Sequence, residues 1–363
     1  MTVLFTCAGR RNYLINYFKE VIGHSGKVIA IDSHYAASTF ADADIAIQVP
    51  PLRAEGYISV VKKIIEQHKV DLVIPLNDLE LYIISKHREE LNALGARVII
   101  SNAEVVDRCG DKWLTYKFLS SQGISTPKTY LKLDALLKAL AANEVAYPII
   151  LKPRWGSGSI GIEEATNEKE LYLLYELLKL KINKSILKDL AHTPNEEFII
   201  LQEKISGEEY GVDVINDFEG NYFGAFARKK IAMRSGETEK AISVIDERID
   251  KVSQRVSKAM GHVGIMDCDY FIMGEKIYVL EMNPRFGGGY PFTHEAGLNL
   301  PAIYLAWFNG DDDLSKYNNY RPDVTSSKCD RILRMKKPTL VYKEERPELE
   351  TRRYFRSVSD TDK

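Results

Sequence analysis

Apolar residues recur along the first hundred positions with two alternating periods. Short β-rich runs (TVLFTCA at 2–8, KVIAI at 27–31, DLVIP at 71–75 and RVIIS at 97–101) are separated by amphipathic stretches over 12–21, 57–68 and 79–94. Gly9 breaks the first run and Asp32 ends the second. Strands alternating with helices of this length specify an α/β, doubly wound parallel sheet, placed here over 1–105.

The pattern then changes. Residues 111–122 read as a helix closed by Gly123, and Pro127 opens an extended stretch. From Tyr147 on, β-rich runs come in pairs with short connections: PIILK, FIILQEKI, YGVDVI, YFGAFARKK, CDYFIM and KIYVLEMN. Helical segments at 168–180 and 246–260 supply covering layers for antiparallel, α+β architecture. The expected divisions are a linker helix with a small β unit over 106–205, a larger antiparallel unit over 206–330, and a peripheral extension over 331–363. That extension is dense in charge and reads as an edge strand followed by a frayed tail.

Charge and composition remove several function classes. The 49 Lys plus Arg against 51 Asp plus Glu give a net charge of −2, so there is no bulk positive field to hold a nucleic acid. With 45% hydrophobic residues and no apolar run near membrane-spanning length, a soluble protein with no membrane partner is expected. The apolar start is interrupted at Thr6 and lacks a basic region in front, so it does not read as a secretory signal. Cys7, Cys109, Cys268 and Cys329 have no motif spacing, which fits reduced thiols and a cytoplasmic location.

The sharpest candidate chemistry lies in the run from Asp267 to Arg285. Side chains alternate along a strand, so Asp267 shares a face with Asp269, and Glu281 with Asn283. An odd-length loop centred on Glu275 would put Asp269 directly opposite Glu281. Two carboxylates and an amide oxygen then converge as hard oxygen ligands of the kind magnesium prefers. The competing reading is a hairpin with a polar outer face. Ile277 and Val279 argue against it, because they would share that face with Glu281.

A second feature is the apolar strand Ile149–Leu151, which delivers Lys152 and leads into Gly156, Ser157, Gly158 and Gly161. Glycine lets backbone amides approach an anion, and Lys152 supplies a point charge for phosphate. A plain hairpin loop is the bland alternative, since the spacing matches neither the Walker pattern nor the dinucleotide fingerprint. A third feature, Glu203, Lys204 and Ile205 followed by Glu208 and Glu209, reads by itself as a solvated turn.

In this order the three features resemble the ATP-grasp superfamily over nearly the whole chain, to about residue 325. The nearest likeness is to one synthetase unit of the carbamoyl phosphate synthetase large subunit, to biotin carboxylase and to single-unit amino-acid ligases. The resemblance implies an N-terminal α/β domain, a lid over 106–205 and a central metal-binding domain over 206–330. It implies that Lys112, next to Asp111, and Lys152 contact phosphate, that Gly156, Ser157, Gly158 and Gly161 cover it, and that Glu203, Lys204 and Ile205 read the adenine edge. Glu209 is similar to the acid that bonds the ribose, and Asp269, Glu281 and Asn283 to the metal ligands. Arg285 resembles the basic residue that steadies the transferred phosphate or substrate. Asp269 stands where the family more often has Glu or Gln, and the loop after Arg285 is unlike that of biotin carboxylase.

The implied cofactors are ATP and Mg2+, with Mn2+ as an alternative metal. The implied activity is an ADP-forming carboxylate-amine ligase acting on small, amino-acid-like carboxylates and amines, with a homodimer as one assembly open to it. Gly287, Gly288 and Gly289 after Arg285, with Arg10 or Arg11 as a second wall, are expected to select the substrate; the plain alternative is a tight turn needing positive φ. Asn77, Asp78 and Glu80 face the same crevice or cap the following helix. An ATP sensor without turnover and an acyl kinase are the rival classes.

Overall fold

The strand β1 (Thr2–Thr6) is apolar at its interior positions because both of its faces are covered: Val3 and Phe5 point into one core and Leu4 into another. It lies inside a parallel sheet with β2 (Lys27–Asp32), β3 (Ile45–Gln48), β4 (Leu72–Pro75) and β5 (Arg97–Val98), in the order β3-β2-β1-β4-β5. This computed structural model describes residues 1–156, 161–184 and 197–341. The helix Tyr57–His68 buries Val61, Ile64 and Ile65 against the Leu4 face and stops at Lys69, whose φ of 48° is left-handed. The helix Asn12–Ile22 covers the opposite face. It meets the helix Leu300–Asn309 there, so this core is shared with the C-terminal part of the chain.

The second sheet is small and antiparallel. Its strands are β6 (Thr129–Tyr130), β7 (Ile149–Pro153), β8 (Glu163–Ala165) and β9 (Ile199–Glu203), in the order β6-β9-β7-β8. The helices Leu133–Ala141 and Glu168–Asn183 close its core over Ile149, Leu151 and Leu201. The third sheet joins β10 (Glu208–Asn216), β11 (Tyr222–Arg234), β12 (Glu237–Val244), β13 (Ile265–Met273), β14 (Lys276–Asn283) and β15 (Thr325–Ser327) in the order β14-β13-β10-β11-β12-β15. The helix Glu247–Met260 covers one of its faces through Ile249 and Val256.

After β15 the chain crosses back, and β16 (Thr339–Leu340) adds a parallel edge to β3. The edge strand expected after residue 330 is this short piece; the tail from 342 on lies outside the described residues. The three sheets account for the α/β plus antiparallel organisation read from the sequence. Among the described residues no helix is long and apolar enough to cross a membrane, and all four cysteines are free thiols.

Candidate active site

Asp269 pairs with Glu281 and Asp267 with Asn283 across the β13–β14 hairpin, but not by the route the sequence suggests. Met273 pairs with Lys276, so the turn holds two residues, Gly274 and Glu275, rather than an odd number. Uncorrected, that turn would place Asp269 opposite Leu280. A β-bulge between Asp269 and Tyr270 makes Leu280 the extra residue and restores the pairing with Glu281. The bulge also moves Val279 off the carboxylate face. Val279 and Ile277 lie in the helix-covered core with Cys268, Tyr270 and Met282, so they never competed with Glu281 for one face.

The carboxylate face continues across the sheet through Asp213 and Gly211 on β10 and Arg228 and Lys230 on β11. It forms the floor of a cavity of about 270 Å³. Lys230 Nζ bridges Asp269 and Glu209 at 2.6 Å each. Burial pushes the Asp269 carboxyl above the usual range, and Lys230 pulls it back. Glu281 and Asn283 line the cavity too, and among the described residues their side chains make no hydrogen bond.

The roof comes from the small sheet. Lys152, on β7, is 5% exposed, and burial pushes its ammonium down to about 8, with Glu281 acting in the opposite direction. Lys112 stands at the first position of the helix Lys112–Ser121 and donates from Nζ to the Gly156 carbonyl. Asp111 fixes this corner. It caps the helix by accepting from the Trp113 and Leu114 amides, and it takes the Arg154 guanidinium at 2.8–3.0 Å. Trp155 and Ile162 complete the roof, whereas Gly161 is not among the lining residues. The expected contacts of Ser157 and Gly158 lie outside the described residues.

Arg285 is buried and fully engaged. Its Nε and Nη2 donate to the two Asp78 oxygens at 2.8 and 3.0 Å, and Nη1 donates to Asp267 Oδ2 at 3.1 Å. Burial works against its charge, and the Asp78 and Asp267 carboxylates overcome it, so its pKa rises. Of the crevice residues in the sequence, Asn77 both caps its helix and lines the two cavities, Asp78 lines the smaller one as this arginine's partner, and Glu80 is buried away from them with Tyr57 donating to it at 2.5 Å.

The glycine loop behind Arg285 is not a positive-φ turn, since none of its three residues has positive φ. Glycine is required instead by contact. A Cβ on Gly287 would lie 2.1 Å from Asp267 Cγ, and one on Gly289 would lie 2.1 Å from Arg228 Nη2. Gly288 and Gly289 reach the cavity; Gly287 does not, and its carbonyl accepts from Tyr13 at 3.1 Å.

Glu203, Lys204 and Ile205 do not line the cavity. They join β9 to β10 and so connect the two antiparallel sheets, with the Lys204 side chain paired to Glu164 at 2.7 Å. Arg11 lines the 270 Å³ cavity and also a larger one of about 1620 Å³ beside it. Arg10 borders only the larger one. Arg11 and Glu237, 3.6 Å apart, stand at the junction between the two. The sequence reading overlooked Arg228 and Lys230. Their signal was two cations two residues apart on the buried face of a strand.

The donor set fits a magnesium nucleotide. No group of three or more His, Cys, Asp or Glu among the described residues suffices to hold a metal alone, while two carboxylates and an amide beside lysines match a cation that shares its ligands with phosphate.

Residues 109–289 match the ATP-grasp domain family, and residues 3–99 match the PylC-like N-terminal domain family. The chain is an ATP-grasp protein. This ATP-grasp chain is 22% identical over 277 residues to the carbamoyl phosphate synthase large chain of Rubrobacter xylanophilus, covering 74% of itself and 25% of that relative. It therefore spans about a quarter of such a relative's length. Its fold superposes on the biotin carboxylase domain of Hydrogenobacter thermophilus 2-oxoglutarate carboxylase, solved with MgADP and bicarbonate, at a TM-score of 0.66 and 19% identity (85% and 69% covered). It also matches the L-amino acid ligase of Bacillus licheniformis at 0.63 and 19% (88% and 77% covered). The family to which it belongs comprises ADP-forming carboxylate-amine ligases.

Proposed function

We propose that this chain joins a small carboxylate to an amine at the expense of ATP, releasing ADP and phosphate. The observation that carries the reading is that Lys112, Lys152 and Arg285, from three separate elements, border one cavity with Asp269, Glu281 and Asn283. Cations of this kind neutralise the charge on a phosphoryl group in transit, where most of the rate is found in such transfers. Lys152 and Lys112 hold the phosphates with Gly156 beside them; the cover by Ser157, Gly158 and Gly161 and the adenine and ribose contacts of Glu203, Lys204, Ile205 and Glu209 follow the family's plan and not the cavity's lining. Asp269, Glu281 and Asn283 would hold Mg2+, which would supply positive charge to offset that of the phosphates.

A carboxylate oxygen of the substrate attacks the γ-phosphorus, the bond to the β-phosphate oxygen breaks, and ADP leaves. The amine then adds to the acyl carbon, its proton passes to solvent, and phosphate departs with the former carboxylate oxygen. No side-chain nucleophile is required. The larger cavity, bordered by Arg10 and Arg11, is the acceptor side, and Gly288 and Gly289 face the smaller cavity next to it, with Gly287 behind them. ADP release with pooled amino acids tests the reading. Turnover should depend on both carboxylate and amine; ATP binding without turnover would favour a sensor, and ADP release without an amine an acyl kinase.

A further inference from the structure

Beneath the glycine loop runs a row of alternating charges of which the transfer scheme uses only Arg285. Arg228 Nη1 donates to Asp213 at 2.8 Å and to Thr293 at 3.1 Å, and its Nη2 donates to Asp267 Oδ1 at 3.0 Å. The other Asp267 oxygen accepts from Arg285, whose remaining donors grip Asp78. Arg228 is 2% exposed and Asp213 fully buried. Burying such charges is costly, and packed apolar side chains would hold the sheet as well, so stability alone does not account for the row. Its course does: Arg228, Asp267 and Arg285 all border the phosphate cavity, and the loop backbone lies directly on the first two.

Asp267 shares its face with Asp269, Glu281 and Asn283, which by position makes it a fourth metal ligand. Its contacts give it a different role, because each of its oxygens is already held by a guanidinium. We propose that Asp267, clamped by Arg228, is a positioning residue that aims Arg285 at the transferred phosphoryl group and does not ligate the metal. With Arg228 fixed from behind by Asp213 and Thr293, the carboxylate cannot swing toward the cavity, and Arg285 keeps one orientation. This rests on the nucleotide reading above.

Three affinities of the full chain decide it: ADP with Mg2+, Mn2+ in the ADP complex by electron paramagnetic resonance, and ADP–Mg2+ with fluoroaluminate, which mimics the phosphoryl group in transit. Asp267→Asn should leave the first two within about twofold and weaken the fluoroaluminate complex by about tenfold or more, since that complex alone draws on an aimed cation. Thr293→Val, which loosens Arg228 from below, should lower the same affinity by a smaller factor, and it serves if Asp267→Asn does not fold. A loss of Mn2+ affinity of about tenfold in Asp267→Asn would make Asp267 a ligand and overturn the proposal. Unchanged fluoroaluminate affinity in both variants would do so too, as would a wild type that binds ADP and gains nothing from fluoroaluminate. A wild type that binds no ADP would instead end the nucleotide reading, so the two failures are distinguishable.

Discussion

Asp269 faces Glu281 because Leu280 is an extra residue in its strand. The two-residue turn alone would set the carboxylates on opposite faces of the sheet, and the bulge returns them to one. Glu281 makes no hydrogen bond among the described residues, whereas Asp269 is held by Lys230 at 2.6 Å, so the two acids are not equivalent. Glu281→Gln keeps the size and removes the charge. Turnover should fall by about a hundredfold or more while the melting temperature and ADP affinity hold. Near-wild-type turnover at saturating Mg2+ would remove Glu281 from the site.

Lys152 links ATP affinity to pH. In the free protein burial pushes its ammonium down to about 8, from the ordinary value of 10.5. Phosphate contact favours the charged form, so binding takes up a proton above pH 8. Affinity for ATP should be flat below pH 8 and fall by up to about tenfold per unit above it. Lys152→Met should bind ATP weakly at every pH, without that slope and with adenosine affinity kept. Isothermal titration from pH 7 to 10 gives both curves; parallel curves would separate the lysine from phosphate.

The glycine loop should divide by position. The atoms nearest a Cβ on Gly288 would be Arg11 Nη1 and the Glu237 carboxylate, at 3.1 Å, the ends of flexible side chains. Gly288→Ala should therefore fold within about 0.5 kcal/mol of wild type and change acceptor use alone. Gly289→Ala drives into the buried Arg228 and should cost on the order of 1–3 kcal/mol. Urea melts read both; equal stability of the two variants would contradict the packing described.

Glu80 carries a separate pH signature. It is fully buried, its Oε2 has no partner, and burial raises its carboxyl to about 7 while the Tyr57 hydroxyl lowers it. A raised folded pKa gives stability that is present below the unfolded value of 4.5 and lost as pH climbs through 7. Glu80→Gln, neutral at every pH, should be more stable than wild type at pH 8 by on the order of 1–3 kcal/mol and should show little gain at pH 4. A gain independent of pH would mean that Glu80 titrates alike in the folded and unfolded chain, so that burial does not raise its carboxyl.

Much of the architecture was legible because periodicity and burial agree in it. The helix over 57–68 alternates every three to four residues and ends as read, and β1, β2 and β4 are apolar at their interior positions because both faces are covered. Elements without such a pattern were missed. β3 is four residues long, and the helix Leu300–Asn309 (LPAIYLAWFN) is buried on nearly every side, so it has no polar stripe to reveal it. The convergence of Asp269, Glu281 and Asn283 on one face was readable from alternation, but the bulge that produces it was not, since pairing geometry leaves no mark on composition. Arg228 and Lys230 escaped for a related reason: their partners Asp213, Asp267, Asp269 and Glu209 come from neighbouring strands distant in sequence.

The most direct test of the ligase reading follows the oxygen. Carboxylates labelled with ¹⁸O, supplied as pooled amino acids with ATP, Mg2+ and an amine, are turned over while the released phosphate is analysed by mass spectrometry. Attack of the carboxylate on the γ-phosphorus transfers one label to phosphate with ADP as co-product, and that is the expected result. Unlabelled phosphate, label in AMP, or ATP bound with no turnover at all would contradict it.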